Sequence, residues 1–249
     1  VEDMDGASMR DSVIGVSEDH KVGLALEKYN AQIKSVSYEV RSLDMSRLIE
    51  GGDDLQAEDD GKYLHISLTL KDLLTQGEEY LLVLKVQTED QDLVRFYSIL
   101  TYLGTNHVQD CVDFAQRFHE MTLTGDSDGV LNYLEQDGSM DGKNLGYINI
   151  HSRSGPVTWG DMQVVETGET SLRFTELESD ITALTMEYQV TNTETSEQYQ
   201  VREAYRLRYT STRIYLLAYE RWTDKILEPG RQLVEDGKLS SAHKPAGRS

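Results

Sequence analysis

The chain has 249 residues, with 44 acidic against 24 basic side chains and a formal net charge of −20 at pH 7. Such a surface repels phosphate groups, so we expect no nucleic-acid partner and no direct binding to an anionic membrane surface. The apolar content of 38% is typical of a soluble globular protein, no run approaches a membrane-spanning length, and a single cysteine excludes an internal disulfide framework.

Apolar side chains alternate with period two between residues 20 and 104, which predicts short strands. The alternation is clearest in KVGLALEKY (21–29), SVSYEV (35–40), YLHISLTL (63–70) and YLLVLKV (80–86), and LVRFYSILTYL (93–103) is apolar on both faces. Turns rich in Gly, Asp and Asn separate these segments and favour an antiparallel sandwich. Residues 1–19 are interpreted as a lead-in segment or first strand, and EGGDDLQAEDDG (50–61) as a mobile acidic loop.

The segment LTQGEEYLL places Leu74, Gly77 and Tyr80 at L-x-x-G-x-x-Y, just before an alternating strand. This spacing resembles the corner of fibronectin type III and immunoglobulin-like sandwiches, in which a Tyr near the start of a late strand bonds back to the upstream backbone. Gln76 stands where those domains often have Pro. The resemblance implies an all-β Ig-like sandwich over residues 20–104.

The pattern changes after Gly104 to a helical period. The recurring apolar positions are Val108, Cys111, Ala115, Phe118 and Met121. Thr105 or Asn106 can cap the start of this helix. After LTGDSDG we expect a second short helix, capped by Asp126 or Ser127, with Val130, Leu131 and Leu134 facing inward.

Strand patterns return after residue 145. The predicted strands are GYINI (146–150), GDMQVVE (160–166), TSLRFTEL (170–177), ITALTMEYQV (181–190), YQVREAYRLRY (199–209) and RIYLLAYERW (213–222). In the strand YQVREAYRLRY, one face carries Tyr199, Val201, Tyr205, Leu207 and Tyr209. The fold class is therefore mixed: an all-β sandwich followed by an α+β domain.

The helix–sheet order and the phrase FAQRFHEMTLTGDSDGVLNYL (114–134) resemble the opening of NTF2-like domains. That resemblance implies two helices packed on a curved antiparallel sheet over residues 105–228, with a frequent pocket between them. A cystatin-like or other helix-on-sheet fold stays open as an alternative. Residues 229–249 are interpreted as a flexible tail or linker.

Cys111 lies between His107 and His119 on the predicted helix. Cysteine catalysis needs a thiolate beside an imidazole in an electropositive setting, whereas Asp110 and Asp113 would raise the pKa of this thiol. One cysteine and one histidine also fall short of the four ligands that zinc usually takes. We expect Cys111 in the core and both histidines on the flanks of the helix.

Asp137, Ser139 and Asp141 occupy positions one, three and five of an EF-hand-like loop. Position twelve is Ile148 and not the bidentate Glu. The sequence therefore favours a solvated turn with a weak calcium candidate, and no metal or cofactor is predicted.

One local basic cluster lies on the last two predicted strands. Its members are Arg202, Arg206, Arg208, Tyr215, Tyr219 and Trp222. One interpretation is a partner or ligand surface, because Arg binds carboxylates bidentately and Tyr supplies stacking area. The alternative is a sheet whose tyrosines pack on the helices while the arginines pair with cross-strand Glu. No motif of nucleophilic, phosphate-binding or metalloenzyme chemistry is present, so no catalytic residue is predicted.

MRDSV (9–13), SVSYEVRSLD (35–44) and YRLRYTSTRIYLLAYER (205–221) are similar to segments of uncharacterised membrane-anchored proteins of anaerobic Gram-positive bacteria. The resemblance implies an extracytoplasmic location, with a membrane anchor outside this chain and a protein or cell-envelope component as partner. The expected function is a non-catalytic interaction or scaffold module. A small-ligand or glycan-binding protein that uses a pocket in the second domain is the alternative, and a hydrolase is a minor one.

Overall fold

A computed structural model describes residues 13–28, 31–53, 55–71, 74–90, 93–104, 106–140 and 145–226, with two short strands at 234–235 and 238–239. The first eight strands are β1 (Val13–Val16), β2 (Lys21–Glu27), β3 (Ile33–Arg41), β4 (Leu48–Gly52), β5 (Gln56–Asp59), β6 (Tyr63–Thr69), β7 (Glu79–Thr88) and β8 (Leu93–Tyr102). They form one sheet in the order β1-β8-β7-β3-β4 and a second in the order β2-β6-β5.

This strand order is that of an immunoglobulin-like sandwich. The strands β2, β5 and β6 pair as the B, D and E strands of such domains do. In the other sheet, β3, β7 and β8 are the equivalents of C, F and G. The period-two pattern explains the core, since Leu64, Ile66 and Leu68 of β6 are buried against Leu82 and Leu84 of β7. The described part of the chain thus has the expected sandwich architecture, which we call the sandwich below.

The predicted tyrosine corner is present at the start of β7. The Tyr80 hydroxyl accepts a hydrogen bond from the Thr75 backbone N–H at 2.9 Å. Gly77 has φ +80°, which an L side chain rarely adopts, and its N–H donates to the Tyr102 carbonyl at 2.9 Å. Gln76 takes a structural role where related corners have Pro, because its amide donates to the Leu103 carbonyl.

The interpretation of residues 50–61 as a mobile loop is wrong. The segment contains the end of β4 and all of β5, which pair with β3 and β6. β5 is exposed along its whole length, so its acidic side chains stay in water while the backbone makes the ladder. Residue 54 lies outside the described residues.

The second part, which we call the helix–sheet region, begins with α1 (Val108–Thr124) and α2 (Ser127–Leu131), followed by β9 (Tyr147–Asn149), α3 (Ser154–Val157), β10 (Val164–Leu177), β11 (Ile181–Asn192), β12 (Gln198–Tyr209) and β13 (Ile214–Lys225). Its five strands form an antiparallel sheet in the order β10-β11-β12-β13-β9. Phe118 of α1 packs on Tyr205 and Tyr219 of that sheet, so the helix lies on one sheet face.

Local details of the helices differ partly from expectation. Asp126 caps α2 as predicted, since its carboxylate accepts from the Gly129 N–H at 2.9 Å. Asn106 accepts from the Val108 N–H at the start of α1, and residue 105 lies outside the described residues. Leu131 does not face inward: it is 47% exposed because α2 ends there and the chain turns away.

Two further elements were not predicted in their observed form. α3 is a short turn of helix in a segment for which no element was predicted, and β10 is one long strand where two were expected. Register shifts between Thr167 and Ser171 and between Phe174 and Glu176 interrupt the pairing of β10 with β11. Such irregularities break the period-two pattern, which is why the sequence reads as two short strands.

The sandwich and the helix–sheet region share an apolar contact. Leu177 at the end of β10 is buried with Val13 and Leu103 in one cluster that also contains Leu81, Val83 and Ile99. At the edge, the Lys62 ammonium lies 2.9 Å from the Glu169 carboxylate.

Within the described residues, no helix combines the length and the apolarity that crossing a bilayer requires. β14 (Val234–Glu235) and β15 (Lys238–Leu239) pair antiparallel. The rest of the segment predicted as a tail, 229–249, lies outside the described residues.

Candidate functional site

The predicted arginine–aromatic cluster does not form one surface. Arg202, Arg206 and Arg208 lie on the exposed face of β12, away from the helices. Tyr219 lies on the opposite face and is fully buried, because successive side chains of a strand alternate between faces. Tyr215 is 39% exposed near the start of β13.

On this exposed face, which we call the outer sheet face, the arginines contact other side chains of the chain. Arg206 donates from Nε and Nη2 to both carboxylate oxygens of Glu176, at 2.8 and 2.9 Å. The Arg202 guanidinium lies 4.3 Å from the Trp222 ring centroid, on the neighbouring strand. Arg208 lies 3.9 Å from the Asp180 carboxylate. Only Arg206 therefore pairs with a Glu of another strand, as the alternative expects, while Arg202 contacts an aromatic ring and Arg208 faces an Asp in the turn between β10 and β11.

A polar cluster that the sequence reasoning missed lies between α1 and the sheet. Glu203 of β12 is 0% exposed and accepts from the Tyr205 hydroxyl at 2.7 Å and the Tyr219 hydroxyl at 2.8 Å. Its carboxylate also lies 2.9 Å from Nδ1 of His119, and Nε2 of the same ring lies 3.2 Å from Glu166. His119 is therefore not on the flank of the helix, as expected, but 7% exposed beneath it.

The protonation of this cluster follows from its contacts. Burial would lower the pKa of His119, but the hydrogen bonds and charges of Glu203 and Glu166 outweigh it and raise that pKa. Burial would raise the pKa of Glu203, and the hydrogen bond and charge of His119 reverse this and lower it. Burial raises the pKa of Tyr205 and Tyr219 well above the usual value. Because both ring nitrogens of His119 face carboxylate oxygens, these contacts favour the protonated ring and the ionised Glu203 carboxylate, with Tyr205 and Tyr219 as hydrogen-bond donors.

A second buried charge lies beside it on β13. Arg221 is 0% exposed and donates to the carbonyls of Val157 and Pro156 at 2.7 and 2.9 Å, at the end of α3. Its guanidinium lies 3.9 Å from the ring centroid of Trp159, which has φ +68°. These contacts fix the α3 turn against the sheet.

Glu203 and His119, whose burial was not predicted, both follow the periodicities that predicted their neighbours. Glu203 is two residues from Val201 and from Tyr205, so the alternation that buries them also buries it. His119 is four residues after Ala115, on the buried face of α1. A charged residue at a position that the pattern assigns to the core was the available signal.

An open groove lies at the other end of the helix–sheet region. It has a volume of about 580 Å³. Its lining residues are Phe114 and Arg117 of α1, Asn132, Tyr133, Leu134 and Glu135 after α2, and Arg213, Ile214, Tyr215 and Leu216 at the start of β13. Phe114 and Arg117 are three residues apart on one helix face, which is why both reach it.

The groove combines an apolar floor with exposed rings. Phe114 is only 6% exposed and meets the Tyr133 ring edge to face, with 5.1 Å between centroids. Tyr133 is 37% exposed, and the Arg213 guanidinium stacks 3.9 Å from the centroid of the Tyr215 ring. The groove therefore offers stacking area beside a fixed positive charge.

The other candidates from the sequence have simple environments. Cys111 is 1% exposed in the core, and burial raises the pKa of its thiol. Asp137 accepts from the Ser139 N–H at 2.8 Å, which closes a turn, while residue 141 lies outside the described part of the chain. Among the described residues, no group of three or more His, Cys, Asp or Glu side chains is placed to hold a metal ion.

No protein-family model and no curated protein matches the chain. Two solved structures align with about two fifths of it at 14% identity. CopC from Methylosinus trichosporium OB3b matches over 41% of this chain and 91% of its own, with a TM-score of 0.28. The PKD domain from KIAA 1837 protein matches over 39% and 84%, with a TM-score of 0.20. Because both scores are low, the assignment of the sandwich rests on its strand order and its tyrosine corner.

Proposed function

We propose that the chain is a non-catalytic binding module of a bacterial cell envelope, outside the cytoplasm, and that the groove is its contact site. The envelope location derives from the sequence resemblance. The observation that carries the binding role is the groove itself, where two exposed tyrosines stand beside two exposed guanidinium groups. Exposed aromatic rings next to Arg are the residue types that contribute most to binding.

The state of the buried cluster supports a non-catalytic role. Glu203, His119 and Glu166 are residue types used in acid–base chemistry. The Glu203 oxygens, however, are hydrogen-bonded to His119, Tyr205 and Tyr219 inside the core. A carboxylate engaged in this way is placed to stabilise the fold.

We also propose the NTF2-like assignment for residues 105–228. Helices packed on one face of a five-stranded antiparallel sheet, with a groove between helix and sheet, support it. A cystatin-like arrangement remains the competing assignment.

Co-sedimentation with purified cell walls of a Gram-positive bacterium tests the proposed function. We expect the wild type to pellet with the walls and the double variant Tyr133→Ala/Tyr215→Ala to stay in solution. Trp222→Ala, which truncates an aromatic ring on the outer sheet face, is the matched control and should pellet like the wild type. Melting curves verify that each variant is folded.

Two results would overturn the proposal. A wild type that stays in solution, or a double variant that pellets equally well, excludes the groove as a wall-binding site. Release of soluble sugar or peptide from the walls above the level of a protein-free sample would show an enzyme.

A further inference from the structure

The charge of the groove contrasts with that of the molecule. Within the described residues, neither the Arg117 nor the Arg213 guanidinium lies within 4.0 Å of a carboxylate. The chain as a whole carries −20. Of the other described arginines, Arg41, Arg173, Arg206 and Arg208 lie within 4.0 Å of a described carboxylate, whereas Arg47, Arg95, Arg153, Arg202 and Arg221 do not. Arg117 and Arg213 differ from these in lining one groove together, where both are exposed and have no carboxylate partner among the described residues, so this surface is complementary to an anionic ligand.

One carboxylate in the groove carries a charge opposite to that of the two arginines. Glu135 lines the groove and is exposed. Its backbone is held in place, because its N–H donates to the Ile150 carbonyl and its own carbonyl faces Nδ1 of His151 at 2.8 Å. The local balance is two positive charges against one negative charge, so an anion is attracted and Glu135 reduces that attraction.

The shape of the groove restricts the rest of the ligand. It is an open trough, and a bound molecule keeps one side in water. An apolar acid gains most from enclosure, because pockets for such ligands bury most of their surface. A sugar ring tolerates the open side, since its hydroxyl groups stay hydrated while its C–H face stacks on an aromatic ring such as Tyr133 or Tyr215.

We propose that the groove binds a sugar ring that carries a carboxylate, that is, a uronic acid unit of an acidic glycan. Arg117 and Arg213 hold the carboxylate by charge-assisted hydrogen bonds, and Tyr133 and Tyr215 stack on the ring. This ligand class rests on the proposed function, because it names the envelope component that the groove would hold.

Calorimetric titration with trigalacturonic acid tests the ligand class, and its fully methyl-esterified form is the control of identical ring structure without charge. We expect the acid to bind and the ester to bind at least about tenfold more weakly, because hydrogen bonds to charged groups contribute most. Arg117→Ala and Arg213→Ala should each weaken binding of the acid by about tenfold. Glu135→Gln should strengthen it. Arg202→Ala, an exposed arginine on the outer sheet face, should leave it unchanged.

Equal binding of the acid and the ester would overturn the inference, and so would binding that is insensitive to both groove arginines. Absence of binding by the acid would overturn it as well. If the walls then still pellet the protein in a manner that depends on the two tyrosines, the proposed function stands without this ligand. If the acid binds as expected but walls do not pellet the protein, the ligand class holds and the wall role fails.

Discussion

At the scale of single residues, Glu203 is the buried carboxylate around which the polar cluster of the helix–sheet region forms. Its two oxygens accept from Tyr205 and Tyr219 and face the His119 ring, in a site with no exposure to water. Removing one partner of a buried ion pair leaves the other charge uncompensated, which typically costs about 3–5 kcal/mol. The cluster is therefore a sensitive point of stability.

The substitution Glu203→Gln tests this. It keeps the shape of the side chain, removes its charge and presents an amide N–H₂ group to surrounding donors. We expect the free energy of unfolding, measured by urea denaturation at pH 7, to fall by about 3 kcal/mol. Glu220→Gln on the outer sheet face is the matched control, since Glu220 accepts only from the Tyr147 hydroxyl among the described residues, and should cost about 1 kcal/mol or less. Equal losses in the two variants would show that the buried charge has no special role.

The His119–Glu203 pair also makes stability depend on pH. The pKa of His119 is raised from 6.5, so its contribution is complete below 6.5 and is lost as the pH rises through the folded-state pKa. The pKa of Glu203 is lowered from 4.5, so its contribution is complete above 4.5 and is lost as the pH falls through its folded-state pKa. The contribution of the pair is therefore greatest between these two values and declines on either side.

We expect the wild type to lose more stability than His119→Asn when the pH is raised from 6.5 to 9. Glu166 and Tyr188, which also face the ring, are present in both proteins, so the difference between them isolates His119. Urea denaturation at several pH values measures it. Parallel curves for the two proteins would mean that His119 is not protonated preferentially in the folded state.

At the scale of elements, the tyrosine corner joins the turn before β7 to the strand itself. The Tyr80 ring is 3% exposed, and its hydroxyl accepts from the Thr75 N–H and donates to Glu78 at 3.0 Å. Tyr80→Phe keeps the ring and leaves that N–H without its partner. We expect the free energy of unfolding to fall by about 1–2 kcal/mol. Urea denaturation monitored by far-UV circular dichroism measures this loss.

Tyr97→Phe is the control for the corner. Tyr97 lies in the partner strand β8 and packs on the apolar cluster, and among the described residues its hydroxyl has no hydrogen bond. The Tyr97→Phe variant should lose less than about 0.5 kcal/mol in the free energy of unfolding. A corner variant no less stable than this control would show that the corner hydrogen bond adds nothing.

Elements with a regular pattern could be predicted from the sequence, and irregular ones could not. The alternation in β6 identifies a strand because one of its faces lies in the core, and the apolar runs of β7 and β11 are more continuous because residues of both faces are buried. β5 has no buried face, so nothing in its sequence distinguishes it from a loop. The groove was equally hidden, since Phe114, Tyr133 and Tyr215 come from α1, the turn after α2 and β13, whose approach depends on tertiary packing. Strict alternation places Tyr215 and Tyr219, four residues apart, on one face of the strand. The register shift between β12 and β13 at Arg206 and Leu207 adds one residue to β13 between them, so Tyr219 is buried while Tyr215 is exposed.

At the scale of the whole molecule, the contact between the sandwich and the helix–sheet region decides whether the two parts unfold together. Leu177 comes from β10 and is 4% exposed, surrounded by side chains of the sandwich such as Val13 and Leu103. Gly15 lies between the two parts, where an added Cβ would come within 3.0 Å of Leu103 and 3.1 Å of Leu177. Such close packing favours a single cooperative transition.

The substitution Leu177→Ala should uncouple the two parts. Truncating a buried leucine costs about 2–5 kcal/mol, and here the loss falls on the shared contact. Both tryptophans, Trp159 and Trp222, belong to the helix–sheet region, so their fluorescence follows that region alone while circular dichroism follows both. We expect the two signals to coincide in urea for the wild type and to separate for Leu177→Ala. Lys62→Ala, which removes the exposed ion pair with Glu169 and the contact of the ammonium with the Tyr63 ring, should leave them coincident, because surface ion pairs contribute about 1 kcal/mol or less. Separate transitions already in the wild type would show that the apolar contact does not couple the sandwich to the helix–sheet region.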